Sequence, residues 1–182
     1  MTDVTDRRQA IVRAAFHQVA TVGFEGLRLQ QVAKDAGIDH STLYHHFPGK
    51  KHIVAGIAEY AIGRFVATPP DGADAATTLR DHLRHLREVL AESPEVLVVT
   101  AELDLRARRD QVVAAVLERH ESNWRRSLGE LFAAGAAQGC WSDRVDPGSA
   151  VEMVIAVVKG VQLRPESAEA AFAQLDALLT TT

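Results

Sequence analysis

The sequence predicts an all-α protein, with an N-terminal three-helix helix-turn-helix domain joined by a fourth helix to a C-terminal helical domain. Apolar residues recur at three and four along nearly the whole chain, the spacing of one face of an α-helix. Turn residues fall at wide intervals, at Gly23, Gly37, Pro48-Gly49, Pro69-Pro70-Asp71-Gly72 and Gly139. Nothing alternates for long enough to make a strand.

Thr5 or Asp6 can cap a first helix that runs to about Val22, with Ile11, Ala14, Ala15, Phe16 and Val19 inward and Gly23 as its stop. Phe24 packs the corner that follows. A second helix spans Leu29 to Asp35, with Leu29, Val32, Ala33 and Ala36 inward, and Gly37 breaks it. Asp39 can cap a third helix, residues 39–46, by accepting a bond from its first free amides. Leu43 and Phe47, four apart, are its buried side, and His40, Ser41, Tyr44 and His45 fall on the opposite one. A fourth helix runs from Lys50 to about Val66. Beyond the proline-rich linker 69–72, helices are expected at about 75–92, 94–106, 108–138, 147–163 and 166–179. Pro94, Pro147 and Pro165 each stand near a helix start, where a missing amide costs nothing. Gly129 and Gly135 lie in the last third of the long helix and weaken that end. The domains implied are residues 1–49 and 50–182, with helix 50–66 connecting them.

The chain of 182 residues is 47% hydrophobic and 24% charged, with no run of about 18 apolar residues to span a bilayer. Its first residues, MTDVTDRRQ, lack an apolar signal core, so no membrane partner and a cytoplasmic location are expected. A lone cysteine, Cys140, excludes a disulfide framework and a multi-cysteine zinc site. Formal net charge is −4, unevenly spread: residues 1–52 carry seven Lys/Arg against five acids, a balance of +2, which leaves −6 for the remainder. Five of the eight histidines also lie in that head. A basic head on an acidic body fits a nucleic-acid reader with a separate partner domain. No paired carboxylates, nucleophile motif or glycine-rich phosphate loop points to an enzyme, and no cofactor is implied.

The stretch GIDHSTLYHHFPGKK, residues 37–51, holds the densest chemistry. Ala33, Gly37 and Leu43 have helix-turn-helix spacing, although the same three residues suit any tight helical corner. The face they support is what separates the readings. His, Ser, Thr and Tyr on a helix of barely two turns are poor choices for stability and good ones for base edges and phosphate oxygens. Lys50 and Lys51 stand in the first turn of a helix, where they oppose its dipole by about 0.3–1 kcal/mol each unless an anion binds there.

Residues 8–54 resemble the DNA-binding domain of TetR-family transcriptional regulators. The matching positions are Ile11, Ala14, Ala15, Gly23, Phe24, Val32, Ala33, Ala36, Gly37, Ile38, Thr42, Leu43, Tyr44, His46, Phe47 and Lys50. AGIDHSTLYHHFPGKK is similar to that family's most characteristic segment, and the resemblance covers about a quarter of the chain. It implies that helix 39–46 is the recognition helix, that Thr42, Tyr44 and His46 meet mostly DNA backbone, and that Lys50 meets a phosphate. His40, Ser41 and His45 would then lie nearest the bases. Arg28 stands where the family usually opens its second helix with threonine, which removes a cap and offers another phosphate contact. Ser41 and Val19 also depart from the family's usual small and aromatic residues.

The remaining two-thirds is similar to the family only in plan, with a Gly139–Trp141 helix end and an Asp146-Pro147 helix start. The segment VEMVIAVVKGV is apolar nearly all round, more than a small domain covers alone, so a homodimer is expected. Val151, Val154, Ile155 and Val158, with Phe172, Leu175 and Leu179, are the candidate interface. The resemblance implies two such helices from each protomer in a four-helix contact. The middle helices would then enclose a small-molecule effector, with His82, Leu86, Leu103, His120 and Trp124 as candidate pocket residues. The sequence thus reads as a ligand-responsive regulator, a repressor by resemblance, that binds a palindromic double-stranded DNA operator as a dimer. Two other readings stay open: a metal-dependent enzyme using His82, His85 and His120, or a helical protein-interaction module. Histidines three apart are common on solvated faces, so no metal is expected.

Overall fold

The structure, a computed structural model, describes residues 4–66, 73–142 and 144–180. The described residues form nine α-helices and one 3-10 turn, with no strand. The helices are α1 (Val4–Gly26), α2 (Leu29–Asp35), α3 (His40–His46), α4 (Lys50–Gly63), α5 (Ala75–Glu92), α6 (Pro94–Ala107), α7 (Gln111–Ala137), α8 (Pro147–Leu163) and α9 (Ala168–Thr180). The 69–72 linker lies outside the described residues. The chain divides into two compact units, Met1–Arg64 with Glu95–Glu118, and Phe65–Pro94 with Arg119–Thr182. The fourth helix therefore packs with the head, as does α6.

In the first unit α1 packs on α4 and α2, and α2 on α3. Ile11, Ala15, Phe16 and Val19 of α1 and Ile53, Val54, Ile57, Ala58 and Ala61 of α4 are all buried. Gly23 has φ 68 and ψ 175, so the helix proper stops where the sequence indicates before a last short turn. Only glycine takes that φ without strain. α1 starts as early as Val4, which puts Asp6 inside its first turn rather than at the cap. There its charge still favours the helix dipole. Gly56, midway along α4, is buried. A Cβ there would stand 3.0 Å from Val12 Cγ2 and 3.3 Å from the Phe47 ring, so the missing side chain is what lets those neighbours close. At the far corner Phe24 is buried under the Arg106 guanidinium, 5.1 Å from the ring centroid.

In the second unit α5 and α8 both pack against α9. Asp74 caps α5 by accepting the Thr77 N–H at 2.7 Å. Asp146 caps α8 through Ser149 N–H at 2.8 Å, with Pro147 in the first turn. Hydrogen bonds from Ser149 hold the Asp146 carboxyl below the usual carboxylate range. α7 runs through both Gly129 and Gly135 without a break. Gly135 is required there, because a Cβ would fall inside the Trp141 indole. The chain reverses at Gly139, and Trp141 folds back so that its Nε1–H donates to Phe132 O at 2.9 Å.

Candidate nucleic-acid interface

Two short helices and one turn build the site. At the end of α2, Gly37 N–H donates to Lys34 O (3.1 Å) and Ile38 N–H to Ala33 O (3.0 Å). This paired closure needs a left-handed residue, and Gly37 supplies it with φ 65. The chain leaves at a fixed angle into α3, whose Leu43 and Phe47 are fully buried. Asp39 occupies the N-cap with extended backbone, but its side chain makes no capping bond. The capping role expected of that carboxylate is absent; the backbone alone closes the turn, by Leu43 N–H to Asp39 O at 3.2 Å.

Anchoring on one side exposes the other. His40, Ser41, Tyr44 and His45 are exposed, and Thr42 and His46 half-buried. The His40 and Tyr44 rings meet edge to face at 4.9 Å, and those of His45 and His46 at 5.7 Å. The side that sequence periodicity assigned outward is outward, and it carries donors and acceptors suited to base edges.

The cations are arranged differently from expectation. Lys50 Nζ donates to Phe24 O (3.2 Å) and Leu27 O (3.3 Å), so its ammonium ties the start of α4 to the α1–α2 corner. Arg28 donates through Nη1 to Glu25 O at 2.8 Å, while its own N–H donates to Gln18 Oε1 at 3.2 Å. Gln18 therefore satisfies the N-cap residue's own N–H, as the glutamine of a capping box does, while no side chain caps the first amides of α2. Both side chains were expected on phosphates, and both satisfy carbonyls at a helix end, because orphan carbonyls compete for nearby donors. Arg8, which sequence reasoning missed, lies 4.3 Å over the Phe47 ring and donates to His46 O at 3.3 Å. Lys51 and His52 are exposed in the first turn of α4.

The expected effector residues are drawn from both units. His82, Leu86, His120 and Trp124 belong to the second unit, whereas Leu103 is fully buried in the first, among the core residues of α6. Trp124 Nε1–H donates to His82 Nε2 at 2.9 Å, an interaction across 42 residues of sequence. Burial, aided by the nearby His85, pushes the His82 imidazole down to about 4, so it is neutral near pH 7. Its Nε2 lone pair is committed to Trp124. Among the described residues no group of three or more His, Cys, Asp or Glu side chains is placed to hold a metal ion.

The seven interface candidates are also reassigned. Val151, Val154, Ile155, Val158, Phe172, Leu175 and Leu179 are all buried within the chain itself, where α8 and α9 pack on one another and α9 on α5. Periodicity found their apolar faces but not what covers them. The outward faces are Glu152, Ala156, Gly160 and Leu163 on α8, and Ala170, Ala173, Gln174, Ala177 and Leu178 on α9. Glu152 is held there by Arg125 at 2.7 Å, and Arg125 also reaches Glu121. No described helix is long and apolar enough to cross a membrane.

Residues 11–57 match the family model for bacterial regulatory proteins of the tetR family. Residues 11–57 are thus a domain of the tetR-family type. The chain is also similar to the class C tetracycline repressor protein of Escherichia coli, 30% identical over 86 residues, which are 46% of this chain and 39% of that protein. The chain spans about 39–45% of the length of the curated relatives it matches. Those relatives are named as transcriptional regulators and repressors, and none as an enzyme. Solved structures extend the likeness over the whole fold. GusR of Salmonella enterica shares 26% identity at a TM-score of 0.76, over 100% of this chain and 99% of its own. AibR, determined with isovaleryl coenzyme A and operator DNA, superposes at a TM-score of 0.70 with 21% identity, covering 96% of this chain and 98% of its own.

Proposed function

We propose that this chain is a ligand-responsive transcriptional repressor that binds a palindromic DNA operator as a homodimer in the cytoplasm. The observation that carries the reading is α3: a seven-residue helix pinned by two fully buried side chains, with His40, Ser41, Tyr44 and His45 turned outward. So short a helix contributes little stability of its own, while its outward face matches what a major groove offers. Residues 1–49 read the DNA, and residues 50–182 hold the effector and the partner subunit. His40, Ser41 and His45 meet base edges; Thr42, Tyr44 and His46 meet the backbone.

AibR supports the pairing of operator and small molecule in one such fold, and the named repressors among the relatives support repression rather than activation. For the effector, His82, Leu86, His120 and Trp124 remain the candidates, with a neutral imidazole at His82 that accepts from the Trp124 indole. The dimer uses the outward faces of α8 and α9, where alanines and Gly160 let two backbones approach closely, with Leu163 and Leu178 at their ends. Two-fold symmetry then matches the half-sites of a palindrome.

Selection of bound duplexes from a random pool tests the reading. The expected result is a palindromic consensus, in which His40→Ala or His45→Ala relaxes preference at one position of each half-site. A protein that retains no duplex would reject it.

A further inference from the structure

We propose that Arg8 is a positioning residue for the recognition helix: it clamps the last turn of α3 from α1 and so sets where the base-reading side chains sit. This rests on the DNA-reading role given to α3 above. Arg8 is exposed on α1, thirty-eight residues from its partner. Its guanidinium lies 4.3 Å from the centre of the Phe47 ring, close enough for a cation over an aromatic face. One Nη1–H also donates to His46 O at 3.3 Å. Both partners stand at the same end of α3, where His46 is its last residue and Phe47 its C-cap.

Three physical effects converge there. A cation at a helix C-terminus is favoured by the dipole, the His46 carbonyl has no partner within α3 itself, and the flat guanidinium shields the anchoring ring from water. α3 has seven residues, so its last turn is also the turn that carries Tyr44 and His45. Fraying it moves a base reader and a backbone contact together. A free cation aimed at a phosphate would instead point away from the helix end.

The test compares Arg8→Ala and Arg8→Lys with Arg7→Ala, which removes the same charge one residue away. Without DNA, amide hydrogen exchange should quicken about three- to tenfold at residues 44–47 in Arg8→Ala, and not in Arg7→Ala. With selected operator, Arg8→Ala should lose about three- to tenfold in affinity with an unchanged salt slope, while affinity for random duplex falls by less. Arg8→Lys should recover only part of each loss, because an ammonium cannot lie flat on the ring. Equal losses on operator and random DNA with a slope lowered by about one would make Arg8 a phosphate contact and overturn the proposal. Unchanged exchange would overturn it as well. A parent protein that binds no duplex would defeat the functional reading, and the exchange comparison would still judge the clamp.

Discussion

Lys50→Met separates the two uses a lysine can have at the start of α4. The ammonium donates to Phe24 O at 3.2 Å and Leu27 O at 3.3 Å from a half-buried position. Bonds from a charged donor contribute about 1.5–3 kcal/mol each, and these two are longer than the 2.7–2.9 Å typical of strong charge-assisted pairs. The lower figure applies, about 3 kcal/mol for both. Against it stands the dipole penalty for a cation in a first helical turn, about 0.3–1 kcal/mol, which methionine relieves. Partial exposure lets water replace some of what is lost. The net expectation is a destabilisation of about 1–2 kcal/mol, or ~3–6 °C in thermal midpoint for a chain of this size. Urea unfolding of parent and variant measures it, and operator titrations at several salt concentrations measure the other side. Because the ammonium is already engaged, the salt slope should stay where it was. A variant as stable as the parent, with the slope lowered by about one, would refute the strut and return Lys50 to a phosphate.

Other outcomes follow from the second unit. Gly135→Ala should destabilise by about 1–3 kcal/mol, since displacing Trp141 and its bond to Phe132 outweighs the helix propensity gained. Gly129→Ala, with nothing within 4 Å of the new methyl, should stabilise slightly in the same thermal assay. His82 is depressed to about 4 in the folded chain against 6.5 in the unfolded one. The unfolded state then binds more protons, so stability falls as pH drops from about 6.5 to about 4, by roughly 3 kcal/mol from this group. His82→Gln should flatten that part of the pH–stability curve relative to the parent; parallel curves would sink the assignment. Ala156→Glu, on the outward face of α8, should give folded monomers by sedimentation, whereas Val158→Glu, 2% exposed within the protomer, should unfold the chain. A surviving dimer in the first variant would move the interface elsewhere.

What was legible in the sequence was local. Asp146-Pro147 announced α8, Gly37 fixed the α2–α3 corner, and four-residue spacing put Leu43 and Phe47 on the buried side of α3. Each depends on neighbours a few positions away. The misplaced residues depend on distant ones. Lys50 meets carbonyls 26 and 23 residues back, Arg8 one that is 38 ahead, and the apolar stripe of α8 is covered by α9 of the same chain. Composition names a cation or an apolar face; it does not name the partner. Asp39 shows the converse: a residue with high capping preference stands at the cap and leaves the bond unmade. Gly56 and Gly135 did leave a signal, since a glycine inside a helical pattern often marks close packing.

Gly56 has a consequence for how this head can change. Val12, Phe47 and the bare backbone of residue 56 fill one space, and Phe47 is also the C-cap of α3. A methyl group at 56 is admitted only if the valine or the ring gives way, and the ring cannot move without carrying the end of α3 with it. Close-packed interiors respond to such additions by displacement rather than compression. Substitution at any one of the three positions therefore constrains the other two. The outward face of α3 is free to vary residue by residue, while the seat beneath it can be exchanged only as a set.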